Sequence, residues 1–197
     1  PEKMGGLKLW PVSSPDGKLS VEAARSQIFD LGVVHRAQPA VISITQTTEM
    51  GTLYQPGEIR ALADLAHEHG LLLHLDGARL SNAAAALGKS FREFTTDVGV
   101  DLVSLGGTKI GALAAEAVIV TDISSSRGKA LAEALSYLRK TSMQLASKMR
   151  FVSAQLNALF QDGAAVALAN ASHANSMATR LYQGISELAQ MHPHISI

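Results

Sequence analysis

The sequence predicts an α/β fold with a mostly parallel sheet and flanking helices. Three observations predict it. Short apolar runs alternate with helical patterns through the first half of the chain, and helical patterns dominate the second half. The runs at 40–45 and 71–75 read as apolar on both faces, as a helix-covered parallel sheet requires. Two stretches, LLLHLDGARL at 71–80 and DLVSLGGTKIGALAAEAVIV at 101–120, each pass from an apolar run into a glycine-containing turn that carries charge. Strand ends of this kind line one crevice.

In chain order, residues 7–12 (LKLWPV) are expected as a strand, followed by a turn at Asp16-Gly17. Ser20 is placed to cap a helix to about residue 30, with Glu22 favourable in its first turn. Residues 40–45 (AVISIT) form a buried strand, and 46–55 a loop rich in Thr and Gly. Pro56 suits a first helical position. Ile59, Leu62, Ala63, Leu65 and Ala66 recur at helical spacing up to Gly70. Strand 71–75 completes a βαβ unit, for which parallel pairing and a right-handed crossover are the default.

An Ala-rich helix at 79–87 ends at Gly88, and 90–94 forms a short helical turn. Strands at 101–105 and 115–120 are joined by so short a loop that this pair can be antiparallel. Helices follow at 124–138, 143–160 and 164–189, the second with an apolar stripe of Leu145, Met149, Val152, Leu156 and Leu159. Residues 192–197 read as the start of another strand. The expected organisation is a partial large domain at 1–160, then a connecting helix and the beginning of a small domain at 161–197.

The 197 residues are 47% hydrophobic, enough for a sizeable core, and correspond to about one to two domains. Lys+Arg 17 balances Asp+Glu 17, so no net field favours nucleic acid or an acidic membrane. The absence of cysteine excludes disulfides, thiolate metal sites and thiol catalysis, and fits a reducing, cytoplasmic setting. No apolar run reaches the roughly 18 residues of a membrane span. Pro1 is not an initiator and no signal-peptide pattern opens the chain, so an upstream part is expected to be missing.

The charged turns carry the chemistry. Asp76 and Arg79 are three apart across Gly77-Ala78, and Lys109 lies 33 positions beyond Asp76 in a turn with Gly106, Gly107 and Gly111. An anion, a bidentate cation and an amine in one crevice suit pyridoxal phosphate. Lys109 would form the imine, in a turn whose glycines let bulky groups approach the backbone. Asp76 would hold the ring nitrogen protonated, so that the ring accepts electrons. Arg79 would grip a substrate carboxylate. Taken singly, the pieces have plainer readings. Asp-x-x-Arg also describes a surface or interdomain salt bridge, and a lysine in a glycine-rich loop is commonly solvated. GGTK lacks the G-x-x-x-x-G-K-[ST] phosphate loop, because Ile110 follows the lysine.

His67, His69, His74 and Asp76 could suggest a metal cluster. However, His67 and His69 point to different helix faces, and H-E-x-x-H is absent, so no metal site is expected. His67 or His69 suits a helix C-terminus. His74 and Asp76 share one strand face, which makes His74 either a supporting residue beside Asp76 or a core histidine. Met143 and Met149 read as core or interface packing.

HLDGARLSNAAAALG, DLVSLGGTKIGALAAEAVIV and LRKTSMQLASKMRF closely resemble the low-specificity L-threonine aldolases, which share the aspartate-aminotransferase-like, fold-type-I architecture. VISITQTTEMGTLYQPGEIRALADLAHEHG is similar to the strand, loop and helix that precede the aspartate strand there. DGAR combined with GGTK-x-G is specific to that family. The resemblance implies that Lys109 is the Schiff-base lysine, that Asp76 pairs with the pyridine nitrogen and that Arg79 contacts the substrate carboxylate. It places Thr108 near the cofactor or its phosphate and turns the loop of Thr47 and Glu49 towards the substrate; His74, from its place beside Asp76 on the strand face, is also expected to border the cofactor.

It also implies homodimers or homotetramers with sites at the dimer interface. The reaction implied is retro-aldol cleavage of L-threonine, L-allo-threonine and related β-hydroxy amino acids to glycine and an aldehyde. Two rivals remain open: another β-eliminating amino-acid lyase of this fold, or a non-catalytic fragment that retains it. Complete relatives carry further segments on both sides, with a ring-stacking histidine, much of the phosphate cradle and a second carboxylate-binding arginine.

Overall fold

Two short helices, α1 (Glu2–Gly5) and α2 (Val21–Arg25), precede the sheet. Ser20 caps α2 as expected, its Oγ accepting the Ala23 N–H at 3.1 Å. This computed structural model describes residues 1–192. It corrects two expectations for the first forty residues. Residues 7–12 are not a strand: among the described residues no strand pairs with them, Pro11 lacks a donor, and Leu7 and Leu9 stay exposed. The helix after Ser20 stops at Arg25 rather than near residue 30, where Asp30 turns to φ 54°.

The βαβ unit follows the reading closely. β1 (Val41–Thr45) leads to α3 (Pro56–Glu68) and β2 (Leu72–Gly77). β1 and β2 are parallel, with Val41 opposite Leu72 and Thr45 opposite Asp76. α3 begins at Pro56, and the Glu58 carboxylate accepts the Gln55 N–H at 2.7 Å. Its apolar face, Ile59, Leu62, Ala63, Leu65 and Ala66, is the buried one.

α4 (Leu80–Leu87) ends at Gly88, whose φ of 62° is left-handed and suits glycine. Two 3-10 turns, Phe91–Phe94 and Thr96–Val98, lead to β3 (Leu102–Gly106). A third, Thr108–Ile110, precedes β4 (Glu116–Val120). β3 runs parallel to β2, and β4 runs antiparallel to β3, as the short connection allows. The strand order is β1-β2-β3-β4.

The second half is helical. α5 (Ser126–Thr141) starts on Ser125, whose Oγ accepts the Gly128 N–H at 3.0 Å. α6 (Arg150–Met191) is broken by non-helical backbone at Gln161, Asp162, Gly163 and Ala164. The expected helix start at 143 is wrong, because Met143 (φ 56°) and Lys148 (φ 60°) interrupt the segment. Met143 is 88% exposed and is therefore not core. The strand expected at 192–197 lies outside the described residues apart from His192.

The core sits on one face of the sheet. Ile42, Ile44, Leu73, Leu75 and Val103 pack with α3 and with Leu80, Ala83 and Ala84 of α4. The strands were expected to be apolar and covered on both faces. Instead the opposite face carries Ser43, His74, Asp76 and Ser104 and is only partly shielded among the described residues, with Val118 57% exposed. α6 lies across α4, where Asn82 and Asn175 exchange two hydrogen bonds of 3.0 and 3.1 Å.

Candidate active site

Parallel pairing in register brings the C-terminal ends of β1, β2 and β3 side by side: Thr45 faces Asp76, and Asp76 faces Ser104. Each end passes into a turn that carries one predicted group. Glycine lets these turns touch. A Cβ on Gly77 would lie 2.9 Å from the Ser104 carbonyl oxygen, and one on Gly106 only 2.8 Å from Ala78 Cα. Thus the DGAR and GGTK turns pack backbone against backbone. This corrects the expectation that the glycines leave room around Lys109: the chain itself fills the space beside Gly106 and Gly107, the latter against the Ala115 carbonyl.

Asp76 Oδ1 accepts the Ala78 N–H at 2.9 Å, which holds the turn and fixes the carboxylate on the half-open face. His74 occupies the same face. Its Nδ1 shares a 2.8 Å hydrogen bond with Ser43 Oγ and its Nε2 a 3.0 Å bond with Ser104 Oγ, so one imidazole ties three strands together. Burial holds its pKa below the ordinary histidine value, and the Asp76 charge opposes this only in part. Burial thus favours the neutral ring, and both its nitrogens are engaged by serines.

Arg79, at the N-terminus of α4, does not stand open. Its two terminal nitrogens donate to the two oxygens of Glu49 at 2.8 and 3.0 Å. This hydrogen-bonded pair raises the Arg79 pKa and lowers that of Glu49, to which the Arg79 and Lys109 charges add. Lys109 is exposed on the turn after β3, within electrostatic reach of Glu49. Thr108 beside it donates its hydroxyl to Glu116 Oε1 at 2.5 Å. Thr47 is partly buried at the start of the Glu49 loop. Asp76, Arg79, Glu49 and Lys109 therefore form one charged cluster at the edge of three strands, with Thr47, Thr108 and His74 on the adjoining turns and strand face.

Sequence reasoning missed Gln46. It is fully buried, its Nε2 donates to the Tyr54 carbonyl at 2.9 Å, and its Oε1 accepts the Tyr54 N–H at 3.0 Å. Its own N–H donates to the Asp76 carbonyl at 2.9 Å. Gln46 closes the Glu49 loop and fastens it to β2. A polar residue directly after an apolar strand was the available signal. Ser43 and Ser104 were also missed, although each is polar in an otherwise apolar strand.

His67 pairs with Asp101 at 2.9 Å, away from His74. Among the described residues, no group of three or more His, Asp or Glu side chains is arranged to hold a metal ion. No described helix is long and apolar enough to cross a membrane. A cavity of about 180 Å³ lies at the other end of β3, bounded by His67, Asp101, Thr121 and Arg127, remote from the charged cluster.

The donor set fits pyridoxal phosphate: a carboxylate on the strand face for a ring nitrogen, an exposed amine for a carbonyl carbon, and a guanidinium fork for a carboxylate. Comparison with known proteins identifies the family. The beta-eliminating lyase family profile matches residues 1–196. The chain is 40% identical over 183 residues to a low specificity L-threonine aldolase of a Pseudomonas species, covering 93% of this chain and 51% of that protein. It is 39% identical over 183 residues to the protein of the same name from Pseudomonas aeruginosa, with the same coverage. A solved Leishmania major threonine aldolase superposes with a TM-score of 0.79 at 28% identity, over 94% of this chain and 52% of that one. The chain thus spans about half the length of the relatives it matches. With an α/β sheet of the same design and a match along nearly its whole length, the chain belongs to the beta-eliminating lyase family.

Proposed function

We propose that the protein containing this chain cleaves L-threonine, L-allo-threonine and related β-hydroxy amino acids to glycine and an aldehyde, as a carbon–carbon lyase dependent on pyridoxal 5'-phosphate. The observation that carries the reading is that Asp76 and Arg79 follow β2 and Lys109 follows the neighbouring, paired β3, with Glu49 bonded to Arg79 and within electrostatic reach of Lys109. Similarity to named threonine aldolases supports it.

Pyridoxal phosphate, when bound, supplies the electron sink for the pair released as Cα–Cβ breaks. Lys109 would be its covalent anchor. Asp76 would keep a proton on the ring nitrogen, a charged form that a facing carboxylate favours. Thr108 and His74 would border the ring or its phosphate. Arg79 would hold the substrate carboxylate and so fix which Cα bond stands across the ring plane, with Thr47 and Glu49 beside it. In the same reading, residues 1–160 belong to the cofactor-binding domain, and 161–197 lead to a second domain from the break in α6. The protein works in the cytoplasm as a homodimer or homotetramer with sites at the dimer interface, on neither nucleic acid nor membrane.

Adding pyridoxal phosphate to the intact protein should produce an imine absorbance band that Lys109→Ala abolishes. Incubation with threonine should then yield glycine and acetaldehyde. A colourless protein after cofactor addition would overturn the assignment. Pyruvate and ammonia in place of glycine would favour a β-eliminating lyase, consistent with the family profile.

A further inference from the structure

The guanidinium fork of Arg79 already holds a carboxylate. We infer that Glu49 is a resident stand-in for the substrate's α-carboxylate, occupying Arg79 until an incoming amino acid displaces it. The inference rests on the assignment of Arg79 proposed above and adds a competitor to it.

The geometry is that of a ligand in a site. Both terminal nitrogens of Arg79 are used, one on each oxygen of Glu49, at 2.8 and 3.0 Å. This is the planar two-point match an α-carboxylate would make. With that face of the fork filled, a second carboxylate cannot bind in the same way.

Exchange requires only one side chain to move. The base of the Glu49 loop is fastened: Thr48 N–H donates to the Thr52 carbonyl at 3.1 Å, and Gly51 N–H to the Thr48 carbonyl at 3.0 Å. The Thr48 and Thr52 hydroxyls lie 2.6 Å apart, and Thr52 Oγ1 donates to the Asp16 carbonyl at 2.7 Å. Above this fixed base the Glu49 side chain is 74% exposed, while that of Arg79 is 30% exposed. Glu49 can therefore rotate into water while Arg79 stays where α4 and β2 put it.

Two consequences follow. An exposed ion pair is weak, so a substrate carboxylate can displace it at small cost. Until then, Glu49 keeps the fork oriented and its charge compensated. Ligands must therefore carry a carboxylate, since an amine alone gives Arg79 nothing in exchange.

The test uses the intact protein without added cofactor, titrated by calorimetry with acetate and glycine, and with methylamine as the control. E49Q should bind both carboxylates about two- to fivefold more tightly than the unsubstituted protein, the range expected for loss of an exposed pair. Methylamine should be indifferent to the change. In the unsubstituted protein, the side-chain carboxyl carbon resonance of Glu49 should shift saturably on acetate addition, a readout that needs no variant. Unchanged or weaker carboxylate binding by E49Q would overturn the inference and leave Glu49 as a positioning residue for Arg79. A Glu49 resonance indifferent to acetate, or no binding by either protein, would overturn it too. The absorbance test above is independent. No imine band in the unsubstituted protein, with intact acetate exchange, would condemn the cofactor assignment alone, and the reverse would condemn only this exchange.

Discussion

His74 joins three strands through a single side chain, bonded to Ser43 on one side and Ser104 on the other. Period-two alternation put it on the face of Asp76, and that is where it stands. Its partners, Ser43 and Ser104, come from strands 31 and 30 positions away and follow only from register. Because burial depresses its folded pKa, the unfolded chain binds a proton more readily. Stability should be full above the ordinary histidine value of about 6.5 and should fall as pH drops from there through the depressed folded value. His74→Asn should flatten that dependence, as read from denaturation midpoints across a pH series. Gln46 makes a second case. Gln46→Ala removes both side-chain bonds to Tyr54 and leaves a buried N–H and carbonyl without partners. A loss of about 1–3 kcal/mol in chemical denaturation is expected.

At the scale of elements, the βαβ unit was legible because its signals are local. β-branched runs, Pro56, a buried stripe of one helix and a closing glycine all act within a few residues. The failures at 7–12 and 143–149 arise where the signal depends on something distant. A strand needs a partner, and an apolar stripe needs a helix that is not interrupted. Glycine tests the packing of the turns directly. Gly106→Ala would press a methyl group into the backbone of Ala78, and overpacking of this kind costs about 1–3 kcal/mol. Gly57→Ala in the first turn of α3 meets nothing within 4 Å and has no positive φ, so it should be neutral or stabilise by up to about 1 kcal/mol. Thermal melts should fall for Gly106→Ala and hold or rise for Gly57→Ala.

At the scale of the whole molecule, α6 is held against the sheet layer through α4. Ala167 and Ala171 are fully buried, and the Asn82–Asn175 pair locks the two helices. Ala171→Leu should strain this contact by about 1–3 kcal/mol and lower the denaturation midpoint, while leaving the β1–β3 core unchanged by amide exchange. The sheet covers its apolar face with α3 and α4 and leaves the polar face of His74 and Asp76 half open. That asymmetry leaves the charged cluster on the more open side of the sheet among the described residues.

The four strands of the sheet, α3, α4 and the residue types at the strand ends were determined by the sequence alone, since each depends on neighbours a few positions away. Only the tertiary structure decided that Glu49 fills the fork of Arg79, that Ser43 and Ser104 hold His74, and that glycines bring two turns together rather than opening space. Each of those facts is a contact between segments about 30 residues apart, fixed by parallel register and backbone packing.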